Sequence, residues 1–444
     1  MASDRPSRGL HRWIATAGRI ALLGFGLVLL VVGIAPAIGR SGAVPILPYG
    51  AGVAAAGPSG SPVPTPAPTA TPAPTPIPAY ALQVRLNAIR VQYHVPGVSV
   101  TIMWPDGRSW TGVNGWANVK GHVPVTPKTA FSVGSISKTF LSALIIELAD
   151  EGRLALDDPV VRWLPTARVP ATVTIRELLD HTSGLYDFFS NPTIDAAILA
   201  DKRRVWTPAR ALGYMGAPYC LPGMCWHYSN SNYVLLGQIA QRVTGNSVAT
   251  ELRRRFFDPF RLAWTFVQGV EPARGTVATS YQVLGWGTSI RTVSQSDGTA
   301  ISPFTSVVTA AGSAGAIAAT SRDLALWARR LYGGAVLPPD ALTTMLDDTQ
   351  SLRAGSRLPY GLAVEEISLG GRLTFGHDGR LIGAGASMRY LPESGFSIAV
   401  VTNQDRVSPD VFAAALLAIA FPPPPPPPIP APSASPSPSP SPSQ

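Results

Sequence analysis

At 444 residues with 46% hydrophobic content, the chain can bury one large core or two ordinary ones. The net charge of +9 says little about a polyanionic partner, because residues 1–79 hold five Arg against one Asp and an excess of about five is spread over the rest. Runs such as Lys202-Arg203-Arg204 and Arg253-Arg254-Arg255 read as solvated helix faces, and there is no nucleic-acid signature.

The two ends differ from the middle. Residues 1–19 carry Arg5, Arg8, Arg12 and Arg19 ahead of an apolar run from Ile20 to Ile38, the pattern of a membrane-targeted segment with its basic flank in the cytoplasm. The length of the run favours an uncleaved transmembrane anchor; cleavage near Ala37, at Ala35-Pro36-Ala37, would instead make it a signal sequence and the protein secreted. Residues 39–79 form a linker in which Pro58 to Pro78 alternates proline with Ala, Thr and Ser, an extended polyproline spacer. Residues 422–444 are a second Pro/Ser-rich tract, expected to be disordered. The folded part is therefore residues 80–421, held outside the cytoplasmic membrane, and the proline-rich arms suit contact with a cell wall.

Within it, Gly97 to Trp104 is rich in Val, Ile and Thr, Pro105-Asp106-Gly107 marks a turn, and Ser109 to Asn118 resumes in extended character, predicting a β-hairpin. Phe131 to Phe140 then opens a long apolar run that stops at Gly152 and reads as a buried helix. Ser135 and Lys138 stand three apart at its start, one above the other on a helical face, which brings an amine to a hydroxyl. Of the four lysines only Lys138 has a serine three residues before it. A serine hydroxyl is a poor nucleophile until a neighbouring base takes its proton.

Thr174 with Glu177 predicts a capped helix ending in the turn His181-Thr182-Ser183-Gly184. Residues 186–330 read as mostly helical, including Asn232 to Thr244 and Thr320 to Leu331. Cys220 and Cys225 suit a small-loop disulfide outside the membrane; zinc with His227 as third ligand is a second reading, for which no fourth ligand follows at a sensible spacing. A short strand at Leu373 to Gly376, a hairpin of Gly385 to Tyr390 with Phe396 to Thr402, and a helix from Asp410 to Phe421 close the fold. Strands at both ends with helices between suggest an α+β fold: one antiparallel sheet completed by the chain's two ends and flanked by helices, plus an inserted, mostly helical domain.

Three elements occur in order: Ser135-Ile136-Ser137-Lys138, Tyr228-Ser229-Asn230 and His377-Asp378-Gly379. In order and approximate spacing they resemble the serine β-lactamase and penicillin-binding-protein superfamily. The tyrosine of the second element resembles class C β-lactamases and the related D-alanyl-D-alanine carboxypeptidases and esterases. Leu178 to Leu185, Leu156 to Val160, Ser321 to Ala325 and Tyr360-Gly361-Leu362 fit the same family, and the resemblance covers about residues 82–420.

The resemblance implies a β-lactamase-like fold and acyl transfer without cofactor or metal. Ser135 would be the nucleophile, with Lys138 and Tyr228 sharing the proton transfers in an order the sequence leaves open. Asn230 would bond the substrate amide or Lys138. His377, in place of the lysine of the family's third element, as in some of its carboxypeptidases and esterases, would bind or position the substrate near Tyr228. By position relative to the motif glycine Gly379, the backbone N–H groups of Ser135 and Arg380 would form the oxyanion hole. His181 is assigned to structure. The expected substrates are cell-wall D-amino-acid peptides or small esters. A β-lactamase, and a cell-envelope binding or scaffold protein without turnover, are the alternatives. Histidine at 377 argues against the first, since it is only partly charged near neutral pH.

Overall fold

The computed structural model describes residues 76–285 and 289–422. The basic segment 1–19, the apolar run 20–38, nearly all of the linker 39–79 and nearly all of the tail 422–444 lie outside the described residues. Among the described residues no helix is long and apolar enough to cross a membrane.

The principal sheet has seven strands: Gly97–Met103 (β1), Ser109–Asn118 (β2) and Val123–Pro124 (β3) from the front of the chain, and Glu365–Leu369, Arg372–Leu381, Ala384–Leu391 and Phe396–Thr402 from its end. Between them lie Phe131–Ser132 (β4), Phe266–Val267 (β5), Tyr281–Leu284 (β6), Arg291–Ser294 (β7) and Ile317–Ala319 (β8), so the late strands are β9 to β12. The order β3-β2-β1-β12-β11-β10-β9 joins the two ends of the chain at the centre, where β1 pairs antiparallel with β12 from Val98↔Thr402 to Met103↔Ser397. Both central strands are buried along their whole length. Their β-branched residues suit a position covered on both faces.

One face is covered by Ala79–Gln92 (α1) and the C-terminal helix Asp410–Ala420, whose Leu82, Leu86, Ile89, Phe412 and Leu416 pack on Val98, Val100, Ile102, Ile398 and Val400. The other face receives the helix Ser321–Tyr332, where Ser321 Oγ bonds the hydroxyls of Ser99 (2.8 Å) and Thr101 (2.9 Å) and Ser397 bonds Ala325 O (2.8 Å). In chain order the helices used below are α1, Ser137–Asp150 (α2), Ile175–Leu179 (α3), Asn230–Thr244 (α4), Ser321–Tyr332 (α5) and Asp410–Ala420 (α6).

The expected α+β arrangement, with its sheet closed by both ends, is what the chain adopts, and the Thr174–Glu177 capping box forms on α3. Four points differ from the sequence reading. Phe131–Ser132 is a strand, and a single 3-10 turn, Gly134–Ile136, precedes α2. Strands β5 to β8 interrupt the region read as helical. β10 runs for ten residues, so His377 lies inside it and not at the end of a short strand. Helix α1 has no counterpart in the sequence reading, although Leu82, Leu86 and Ile89 are spaced four and three apart, as a single buried stripe requires.

Candidate active site

Ser135 sits on the 3-10 turn between β4 and α2, pressed against β10. Two glycines permit the approach. Gly134 has φ +50°, and a Cβ there would lie 2.7 Å from both N and O of Arg380. A Cβ at Gly379 would collide with Val133 O and reach 3.1 Å from Ser135 N. The backbone of Arg380 is thereby brought beside the Ser135 turn, so two N–H groups from different elements can serve one oxygen.

Lys138, in the first turn of α2, is wholly buried. Its Nζ lies 3.0 Å from Ser135 Oγ, 2.9 Å from Asn230 Oδ1 and 2.9 Å from Ala314 O. Burial lowers its pKa to about 7, against the opposing pull of Asp187, Asp378 and Glu365. The directions of these bonds decide what the neutral amine does. Two N–H groups go to Ala314 O and Asn230 Oδ1, which can only accept, and the lone pair is left facing the Ser135 hydroxyl.

Tyr228 reaches the same oxygen from the opposite loop, its Oη 2.8 Å from Ser135 Oγ. Burial pushes the phenol well above its ordinary value, more than the Ser135 bond brings it back, so it stays protonated at neutral pH. Lys138 Nζ lies 4.9 Å from the centre of its ring. The serine is thus flanked by an amine that titrates near neutrality and a phenol that does not.

The loop carrying Tyr228 is fixed on the His181–Gly184 turn by Tyr219 N to Gly184 O (2.8 Å), Gly223 N to Thr182 O (2.8 Å) and His227 N to His181 O (3.0 Å). Cys220 and Cys225 close it as a disulfide, which uses both sulfurs and removes the zinc reading with His227. His181 Nδ1 accepts from Ser229 N at 3.2 Å and its ring lies 4.3 Å from that of Tyr228, so it holds the backbone between Tyr228 and Asn230. Burial lowers its pKa well below the ordinary value, which keeps Nδ1 free to accept.

The third element is placed differently from the sequence reading. His377 is wholly buried, with Nε2 2.9 Å from Tyr360 Oη and Nδ1 against the carbonyl of Asp378. Its ring is 6.4 Å from that of Tyr228. Burial brings its pKa down to about 4, so it is a neutral ring behind the tyrosine. Burial raises the Asp405 carboxyl, and the Arg380 guanidinium opposes that rise while adding to the larger pull of Arg389 on Asp410, so its charge acts toward the start of α6.

The structure therefore brings Ser135, Lys138, Tyr228 and Asn230 together through side chains, brings Gly379 and Arg380 in through the backbone, and sets His377 near Tyr228 as a buried ring bonded to Tyr360. Two participants were not singled out in the sequence, Ala314 O and Asp187, the latter bonded to Asn230 at both backbone and side chain. Tyr360 enters the sequence reading only within a stretch that fits the family, without its bond to His377. A signal for Asp187 existed. It is the one acid in Leu185-Tyr186-Asp187-Phe188-Phe189, and a carboxylate in such a run needs a buried partner.

A model of the family described as Beta-lactamase matches residues 79–420. Penicillin-binding protein 4 of Amycolatopsis lactamdurans is 29% identical over 337 residues, 72% of this chain and 84% of that protein. The Teichoic acid D-alanine hydrolase of Staphylococcus aureus is 26% identical over 178 residues, 39% of this chain and 42% of its own length. Among solved structures, the D-stereospecific amidohydrolase from Streptomyces sp. superposes with a TM-score of 0.63 at 28% identity, covering 77% of this chain and 98% of that one.

Proposed function

The chain belongs to the Beta-lactamase family and its relatives are hydrolases, and on that footing we propose that Ser135 forms an acyl-enzyme with D-amino-acid peptides of the cell wall, or with small esters, outside the cytoplasmic membrane. The observation that carries this is the Ser135 hydroxyl held between Lys138 Nζ at 3.0 Å and Tyr228 Oη at 2.8 Å. Ser135 Oγ attacks the carbonyl carbon while its proton passes to the neutral Lys138 amine. The developing oxyanion lies between the N–H groups of Ser135 and Arg380. Collapse expels the leaving amine or alcohol, which takes a proton back through Tyr228. Water then attacks the ester, gives its proton to the same pair, and releases the acid and free Ser135.

The substrate class draws support from two sides. Relatives bear names that specify D-configured amides or D-alanine. The neutral, enclosed His377 offers no permanent cation of the kind a lysine gives a β-lactam carboxylate. The location draws support from the disulfide, since such bonds persist in oxidising compartments, and from the apolar run 20–38. In this reading that run anchors the chain and the proline-rich tracts contact the wall.

Exposure of the full chain to a fluorophosphonate and to a fluorescent penicillin should leave a covalent adduct on Ser135 in wild type and none in Ser135→Ala. Turnover of D-alanyl-D-alanine peptides, D-amino-acid amides, p-nitrophenyl esters and nitrocefin then ranks substrates, with nitrocefin expected last. Absence of any adduct on the folded protein sinks the enzyme reading; nitrocefin ranked first sinks the substrate assignment.

A further inference from the structure

Asn230 is useful to Lys138 only one way round. Its Oδ1 accepts from Lys138 Nζ at 2.9 Å, but the two ends of a side-chain amide are nearly the same size, and the environment decides which end points where. On the far side of Asn230 lies the Asp187 carboxylate, buried, with Oδ1 3.3 Å and Oδ2 3.2 Å from Asn230 Nδ2. The backbone N–H of Asn230 also points to Asp187 Oδ1, at 3.1 Å, and Phe189 N adds a third donor at 3.3 Å. Turning the amide over would set its oxygen against two acceptor oxygens and its N–H groups against the Lys138 amine. Both contacts would be lost at once.

The segment is held in register with the start of α4 by Ser231 Oγ, which accepts from Phe188 N at 3.0 Å and donates to Tyr186 O at 2.7 Å. Ser229, at the N-cap of α4, makes no side-chain capping bond, so Asp187 supplies from another segment the acceptor that a cap usually provides. A capping role alone needs only the backbone contact. The paired contacts to Nδ2 are additional, and they lead straight to the amine beside the nucleophile.

We propose that Asp187 is a positioning residue of this centre: its carboxylate fixes the Asn230 amide so that Oδ1 faces Lys138, and thereby aims the Lys138 lone pair at Ser135 Oγ. The inference rests on the serine hydrolase reading for its consequence in catalysis, but not for its geometry. The titratable or charged groups that bear on Lys138 are Tyr228 and Tyr233 from the loop and helix α4, Asp187 ahead of them, Glu365, His377 and Asp378 from β9 and β10, and His181 from the turn after α3. Of the carboxylates, Asp187 has the largest pull on the amine.

The four lysines make a direct measurement practical: in the full chain labelled with 13Cε-lysine, Lys138 is one of four side-chain signals and is assigned by its loss in Lys138→Ala. In Asp187→Asn the Lys138 midpoint should fall by on the order of one pH unit, the direction expected when a nearby carboxylate is removed from an ammonium. Fluorophosphonate labelling of Ser135 should slow on the order of ten- to a hundred-fold, the cost of a misdirected base. Asp187→Ser carries the same expectation if Asp187→Asn does not fold, and Asp187→Glu, which keeps the charge, should hold the midpoint near wild type. A midpoint unmoved in a folded neutral variant, with only the melting temperature lowered, overturns the proposal and leaves Asp187 as a helix cap. A midpoint that moves in a protein no probe labels would uphold Asp187 and count against the hydrolase reading instead.

Discussion

Among the described residues, Arg389 and Lys138 are both buried cations, and their surroundings treat them in opposite ways. On the α6 side of the sheet, Arg389 is clamped between Glu365 (2.8 Å) and Asp410 (3.1 Å), and the same Asp410 accepts from Ser387. Burial pushes Asp410 up, but the charge and hydrogen bonds of Arg389, with Ser387, bring it below the ordinary carboxylate range, and the guanidinium is held more firmly protonated still. On the other side, Lys138 meets a hydroxyl, an amide oxygen and a carbonyl, with its nearest carboxylate acting through Asn230. One cation is fully compensated and cannot titrate near neutrality; the other is left short of charge and titrates at about 7. The difference teaches that compensation, and not burial, separates a structural charge from a chemical one.

That contrast can be broken by experiment. Lys138→Ala should slow acylation of Ser135 by about a thousand-fold, read from fluorophosphonate labelling, without lowering the melting temperature. A severe loss of stability would show that Lys138 is structural after all. Arg389→Met should do the reverse: urea denaturation should register a loss of about 3–5 kcal/mol, from two carboxylates left without their partner, while the folded fraction still labels.

The pH dependence sharpens the same point. With the neutral Lys138 amine as the proposed base, acylation should rise about tenfold per pH unit up to the Lys138 midpoint near 7 and level off above it. Stability should show the linked effect. The folded pKa lies below the unfolded value of 10.5, so the burial penalty is full below about 7 and is relieved as pH rises from 7 toward 10.5. Replacing Lys138 by Met should therefore raise the melting temperature more at pH 6 than at pH 10. The smallest effect is expected at the surface, where Arg176 pairs with Asp157 in solvent: Arg176→Ala should cost about 0.5 kcal/mol and fade in high salt.

The sequence disclosed what is locally encoded. The β-branched run of β1, the hairpin of β11 and β12 and the Thr174–Glu177 box each carry their signal within a few residues, and so does the Ser135–Lys138 spacing. It was silent where a distant partner decides. β10 continues through Gly376, Asp378 and Gly379, residues with poor strand propensity, because β11 pairs with it from Phe375↔Tyr390 to Leu381↔Ala384. The burial of His377 depends on Tyr360, and that of Asp187 on the start of α4; neither contact has a periodicity to read.

The joining of β1 to β12 has a consequence for how the chain comes into being. As it leaves the ribosome, β1 appears on the order of three hundred residues before the strand that will cover its open side, and β10, which brings Arg380 to the nucleophile, is also late. Through most of synthesis the apolar β1 edge faces solvent, an invitation to mispairing. A chain cut short anywhere before residue 396 lacks β12, the partner that closes this edge at the centre of the sheet. The surroundings of Ser135 are thus completed only once β10 has been made, and the sheet that carries it only once β12 has followed.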